Sequence, residues 1–249
     1  MRVESTAVPN GGWRLSNVGA QPIWHPSPNF GARRDGARPS LVVLHYTAMR
    51  SCDAARDRLC DATAEVSAHY LISESGTIFQ LVDEVNRAWH AGVGRWGNIE
   101  DVNSHSIGIE LSNTGAYPFP EPQIAALETL LAGLLSRHAI APARVIGHSD
   151  MAPLRKSDPG RRFDWQRLAR KGLSIWPGNF QDEYLKNSES FETCAQQLGY
   201  AETLPQGVML DAFRQRFRPA ATGPFEPTDL VLIADLAVRF PFDASVPAT

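Results

Sequence analysis

The 249-residue chain has no uninterrupted apolar run near the roughly eighteen residues that a membrane span requires. Its opening, Met1 to Asn10, lacks the apolar core of a secretory leader, so a cytoplasmic location is expected, or a periplasmic one if a leader has been removed. Cysteine is scarce. Cys52, Cys60 and Cys194 are odd in number and form no C-x-x-C pair, which argues against a disulfide framework and fits reduced thiols. Positive charge is not concentrated either. The formal net charge is −3, and the basic pairs Arg33-Arg34, Arg155-Lys156 and Arg161-Arg162 are too short to mark a nucleic-acid surface. Internal repeats, low-complexity tracts and a His-Glu-x-x-His segment are all missing, so no metal site is built on a single helix of that kind.

What is present is an ordinary globular composition, 43% hydrophobic and 20% charged, long enough for a main domain and a small second one. Residues 1–38 are rich in Gly, Pro, Asn and Arg without periodicity and read as an irregular arm, with Trp24, Pro26, Pro28 and Phe30 as its anchors. The run Leu41 to His45 reads as a strand buried on both faces. A helix is expected within Ser51 to Thr63, capped by Ser51 or Asp53. Two β-rich runs, Val66 to Ile72 and Thr77 to Val82, flank Ser73-Glu74-Ser75-Gly76 and predict a hairpin with Gly76 in the turn. In Ser106 to Leu111, Gly108 and Glu110 alternate with Ile107, Ile109 and Leu111, which puts Glu110 on the face opposite the isoleucines.

Pro120 and Pro122 open an amphipathic helix reaching about His138, with Ile124, Leu127, Leu130, Leu131, Leu134 and Leu135 on its core stripe. Val145-Ile146 is a brief strand leading into His148, and Asp164 caps a short helix that ends near Gly172. Hairpin and crossover connections together predict an α/β fold, a mixed sheet flanked by helices. After Trp176-Pro177-Gly178-Asn179 the composition shifts. Helices are expected over Phe191 to Leu198, Val208 to Phe217 and Thr228 to Phe240. They would bury Leu198, Leu210, Phe213, Phe217, Leu230, Ile233, Leu236 and Val238 together. The expected division is a main domain over 1–185 and a small three-helix module over 186–249.

Two histidines stand in strand-like settings, His45 after Leu41-Val42-Val43-Leu44 and His148 after Val145-Ile146-Gly147, and Asp158 follows ten residues later. Two imidazoles and one carboxylate with a free fourth position are the donor set of a catalytic zinc site. Either histidine alone is equally read as a hydrogen-bonded structural residue, and His69, in an apolar strand, is read that way.

The segments Leu41-Val42-Val43-Leu44-His45-Tyr46-Thr47-Ala48, Ser67-Ala68-His69-Tyr70-Leu71-Ile72, Ala88-Trp89-His90-Ala91-Gly92, Asn103 to Glu110, Gly147 to Pro153 and Lys156-Ser157-Asp158-Pro159-Gly160 occur in one order over about residues 20–175. In that order they resemble the zinc-dependent N-acetylmuramoyl-L-alanine amidases of the AmpD and AmiD type, relatives of phage lysozyme-like amidases and of peptidoglycan recognition proteins. The resemblance implies that fold, Zn2+ as cofactor, and His45, His148 and Asp158 as its ligands. It further implies Glu110 as the acid/base group, Lys156 as a second catalytic residue, and His90 and Trp96 in a loop turned toward substrate. Phe213 to Pro219 resembles, over a shorter stretch, the peptidoglycan-binding-like module of the AmiD branch. Ala68 stands where phage relatives carry a catalytic tyrosine, and Asp158 where some relatives carry a cysteine; both departures fit the AmpD and AmiD branch.

The activity so implied is hydrolysis of the amide between N-acetylmuramic or anhydromuramic acid and L-alanine, in cell-wall degradation or recycling. The expected partner is peptidoglycan or an anhydro-muropeptide, met by a monomer without nucleic acid or a membrane span. A non-catalytic muropeptide recognition module is the rival expectation, and a zinc peptidase or deacetylase a third.

Overall fold

The computed structural model describes residues 21–178 and 189–243. In chain order its strands are β1 (Ile23–Trp24), β2 (Phe30–Ala32), β3 (Leu41–Tyr46), β4 (Tyr70–Ile72), β5 (Ile78–Gln80), β6 (Asn86–Ala88), β7 (Ser106–Leu111) and β8 (Val145–Gly147). The helices are α1 (Cys52–Cys60), α2 (Val102–His105), α3 (Glu121–His138), α4 (His148–Met151), α5 (Trp165–Arg170), α6 (Phe191–Leu198), α7 (Gln206–Phe217) and α8 (Pro227–Arg239). Six strands make one mixed sheet in the order β1-β5-β4-β7-β3-β8, and β2 pairs with β6 separately. β3 runs parallel to both β7 and β8, while β4 and β5 form the antiparallel hairpin, with Gly76 at positive φ in its turn.

Side-chain alternation along β3 sorts the core into two halves. Val42 and Leu44 face α3 and α5, packing with Ile107, Ile109, Ile124, Leu127 and Leu131. Leu41 and Val43 point the other way and join Ile146 in one cluster with Phe191, Phe213, Phe217, Ile233 and Leu236 of α6 to α8. The carboxyl-terminal helices are therefore the second layer of the sheet rather than a body with a closed core of its own. His45 continues the Leu41, Val43 face at the carboxyl end of β3, past the edge of that layer.

Local signals placed most elements. Ser51 caps α1, Asp164 caps α5 and Ser190 caps α6, each accepting from a backbone N–H three residues on. Three differences stand out. His148 opens α4 instead of ending a strand. In the arm, Trp24, Pro26, Pro28 and Phe30 are exposed, and polar groups hold the chain instead: Ser27 donates to Leu59 O, Asn29 to the Asp61 and Val66 carbonyls. Val238 is 68% exposed, and Val231 is buried on α8 instead. Most of the arm, residues 1–20, and the expected 185/186 boundary lie outside the described residues. Among the described residues no helix is long and apolar enough to cross a membrane.

Candidate metal centre

The parallel register sets His45 of β3 directly beside Glu110 of β7, and β8 on the other side of β3 delivers His148 just past its end. The loop after α4 returns Asp158 to the same point, where its carbonyl accepts from Ser149 N at 2.9 Å. His45 Nδ1 lies 2.9 Å from His148 Nδ1 and 2.9 Å from Asp158 Oδ2, and His148 Nδ1 is 3.1 Å from that oxygen. The three are buried and mutually placed as a group that could hold one metal ion. Sequence separations of 103 and 113 residues close into one triangle.

The outer nitrogens reveal why this triangle suits a cation. His148 Nε2 sits 2.8 Å from the Ala91 carbonyl, an acceptor only and a shorter contact than Arg155 NH2 at 3.3 Å, so that nitrogen carries the proton and Nδ1 presents a lone pair. Burial lowers His45 to about 4, with nearby His148 adding to the fall and Asp158 resisting it, so the ring is neutral at pH 7. Burial alone would raise Asp158, but the His148 and His45 rings set against its carboxylate hold it well below the carboxylate range. One ring nitrogen from each histidine and one carboxylate oxygen thus converge on a single point. A divalent ion satisfies all three at once.

Glu110 stands beside this group with its Oε2 buried and unpartnered. Burial pushes its carboxyl up to about 8, with Asp158 adding to the rise and Lys156 opposing it. Glu110, Lys156, His90 and Arg155 line, with the three donors, a cleft of about 350 Å³. Lys156 is exposed at its rim.

The residue-family profile for N-acetylmuramoyl-L-alanine amidases matches residues 35–161, just over half of the chain and the whole of this constellation. The chain belongs to the N-acetylmuramoyl-L-alanine amidase family. Within that family it is 33% identical over 222 residues to the amidase AmiD of Escherichia coli, covering 83% of this chain and 67% of the relative. It is 36% identical over 160 residues to the 1,6-anhydro-N-acetylmuramyl-L-alanine amidase AmpD of Citrobacter freundii, covering 57% and 86%. Among solved structures, E. coli AmiD with anhydro-N-acetylmuramic acid-L-Ala-D-gamma-Glu-L-Lys superposes with a TM-score of 0.76 at 32% identity, over 84% of this chain and 92% of that one. AmpDH3 of Pseudomonas aeruginosa with an anhydromuramic pentapeptide gives 0.75 at 28%, over 95% and 100%. The amidase fold is thus a mixed α/β sheet flanked by helices here as there.

Of the expected site residues of this amidase, His45, His148, Asp158, Glu110 and Lys156 meet at one cleft. Trp96 does not. It is 1% exposed, packed edge-to-face on Tyr200, and a Cβ on Gly199 would lie 2.5 Å from its ring, so no face is left for a sugar. The glycine that admits the indole is Gly199, not one of the loop's own: a Cβ on Gly94 would meet Met151 and one on Gly97 would meet Phe242. His90 lines the cleft, but both its ring nitrogens are spent on protein partners, His45 and Ser106. His69 is a structural histidine, accepting from Gly108 N and meeting the Asn86 carbonyl. Sequence reasoning missed Arg155, noted only as part of a short basic pair; its guanidinium holds the Ala91 and Val93 carbonyls and so fixes the loop behind His148. It also missed Asn103, whose Oδ1 accepts from both His90 N and Ala91 N. Neither carries a local signal, since both act across more than ten residues.

Proposed function

We propose that this amidase hydrolyses the bond between the lactyl carbonyl of N-acetylmuramic or 1,6-anhydro-N-acetylmuramic acid and the L-alanine amine of the stem peptide, with zinc held by His45, His148 and Asp158. The observation that carries the reading is the convergence of two imidazole Nδ1 atoms and one carboxylate oxygen at the floor of a cleft also lined by Glu110. The sides of that triangle, 2.9 to 3.1 Å, fall only a few tenths short of the ligand spacing at a tetrahedral zinc, about 3.3 Å for bonds of about 2.0 to 2.1 Å. A zinc ion there supplies Lewis acidity, acidifying water toward neutrality and polarising a carbonyl.

The chain's own groups supply the proton chemistry. Glu110, raised by burial in the metal-free protein and brought back toward its ionised form by a cation held beside it, would take the proton of the attacking water on its unpartnered Oε2 and return it to the departing alanine amine. The Lys156 ammonium at the cleft rim faces the charge that builds on the carbonyl oxygen; one such donor is worth about 3 to 4 kcal/mol in comparable sites. The muropeptides bound by AmiD and AmpDH3 in their solved complexes support the substrate class. In this reading residues 1–185 form the catalytic unit, and 186–249 a helical peptidoglycan-binding-like unit.

Replacing Glu110 with alanine, and measuring zinc content together with turnover on an anhydro-muropeptide, tests the assignment. The expected result is retained zinc with hydrolysis down by about 10²- to 10⁴-fold. Undiminished turnover removes Glu110 from the mechanism, and tight zinc binding by the wild type without release of the peptide favours the recognition module.

A further inference from the structure

Behind the cleft floor, Ser106, Gly108 and Glu110 share one face of β7, and each has a distinct relation to the metal corner. Glu110 faces the donors. A Cβ on Gly108 would lie 2.4 Å from His90 Cγ, so only glycine lets that ring lie flat against the strand. Ser106 Oγ sits 2.6 Å from the Val102 carbonyl and 3.1 Å from His90 Nε2. His90 Nδ1 in turn lies 3.0 Å from His45 Nε2.

The direction of every bond in this row follows from one end. A carbonyl can only accept, so the Ser106 hydroxyl proton points at Val102 and its oxygen is left to accept. His90 must then donate from Nε2, which leaves Nδ1 as its acceptor. From this end His45 donates from Nε2, which leaves Nδ1 bare and turned toward His148 and Asp158; the Asp158 carboxylate, 2.9 Å from Nδ1, draws the proton the other way, and the relay opposes that pull. The backbone of His90 is pinned at the same time by Asn103 Oδ1, 3.0 Å from its N–H.

We infer that Ser106 and His90 are positioning residues that fix the tautomer of His45, so that Nδ1 is presented to the metal without a proton to displace. The inference rests on the reading of His45 as a metal ligand, and it gives His90 a task other than contact with substrate. Without the serine oxygen, His90 is free to turn its proton toward His45, which would then place its own proton on Nδ1, inside the donor triangle. An outer hydrogen-bond partner of this kind is worth about 10- to 100-fold in metal affinity.

The test pairs nitrogen-15 NMR of the imidazole rings in the metal-free protein with Zn2+ affinity measured by chelator competition. In the wild type, His45 is expected as the Nε2–H tautomer. His90→Phe, which keeps ring volume but neither nitrogen, and Ser106→Ala, which removes only the oxygen, are expected to populate His45 Nδ1–H and to bind Zn2+ about 10- to 100-fold more weakly. His90→Gln offers an acceptor toward His45 and a donor toward Ser106, and is expected to restore both readouts, which a merely space-filling role would not. Circular dichroism checks that each variant is folded. His45 as Nδ1–H in the wild type, or an unchanged tautomer and affinity in folded His90→Phe, overturns the inference. A wild type that fails to bind Zn2+ would defeat the metal-centre reading, while the NMR result would still decide the tautomer relay on its own.

Discussion

His148 and Asp150 lie two residues apart on the same short helix, and their surroundings are opposites. Asp150, 1% exposed, meets a cation that the fold itself provides: Arg216 NH1 at 2.9 Å, with Tyr200 Oη donating at 2.7 Å and Gly147 N at 2.8 Å. Arg216 also donates to the Val145 carbonyl and stacks 4.4 Å from the Trp165 ring centroid. His148, equally buried, meets His45 and Asp158 on its inner side, and among the described residues no Lys or Arg is paired with a donor atom of that triangle, Arg155 approaching only the outer Nε2. One end of α4 carries a charge paired within the protein; the other carries donors arranged for a charge from outside. Structural polarity is closed and functional polarity is left open, at nearly the same burial.

Breaking the open side should cost function and spare the fold. Asp158→Ala removes the single oxygen donor; bound zinc should be lost and turnover should fall by at least about a thousandfold, with near-ultraviolet circular dichroism of the metal-free protein unchanged. A variant that retains stoichiometric zinc would show that Asp158 is not a ligand. Breaking the closed side should do the reverse. Arg216→Met strands the Asp150 charge and is expected to cost about 3 to 5 kcal/mol in denaturant unfolding, with Arg216→Met/Asp150→Asn recovering a large part of it. If the double variant is no more stable than the single one, the charge pair is not what holds α7 to α4.

A smaller effect sharpens the contrast through pH. In the metal-free protein the Glu110 carboxyl keeps its proton up to about 8 while an unfolded chain releases it near 4.5. The folded state therefore binds more protons across that interval, and its stability falls as pH rises. His45 and His69, held neutral with values of about 4 and 3, act in the opposite sense, but only below the unfolded histidine value of 6.5. Between pH 6.5 and 8 the Glu110 contribution stands alone among these groups, a loss of at most about 1.4 kcal/mol per pH unit. Denaturant unfolding at the two ends of that window should show the loss in the metal-free wild type and none in Glu110→Gln.

The chain announced its elements wherever the cause was local. The stripe from Ile124 to Leu134, the serine and aspartate caps, the Gly76 turn and the alternation of Gly108 and Glu110 with isoleucines are all set by backbone geometry within a few residues. The identities of His45, His148 and Asp158 were legible too, because two imidazoles and a carboxylate are a chemical set before they are a geometry. Trp96 misled, since a large aromatic among glycines looks the same in sequence whether it faces solvent or Tyr200.

Sequence by itself therefore determined which residues were available: the strands, the caps, the three side chains that could hold a metal and the carboxyl group beside them. Only the tertiary structure decided which nitrogen of His45 turns inward, which carboxylate receives Arg216, and that His90 leans on Ser106. Those choices are made between groups brought together across the sheet, where hydrogen-bond direction and the exclusion of water depend on every neighbour at once. No periodicity along the chain encodes them.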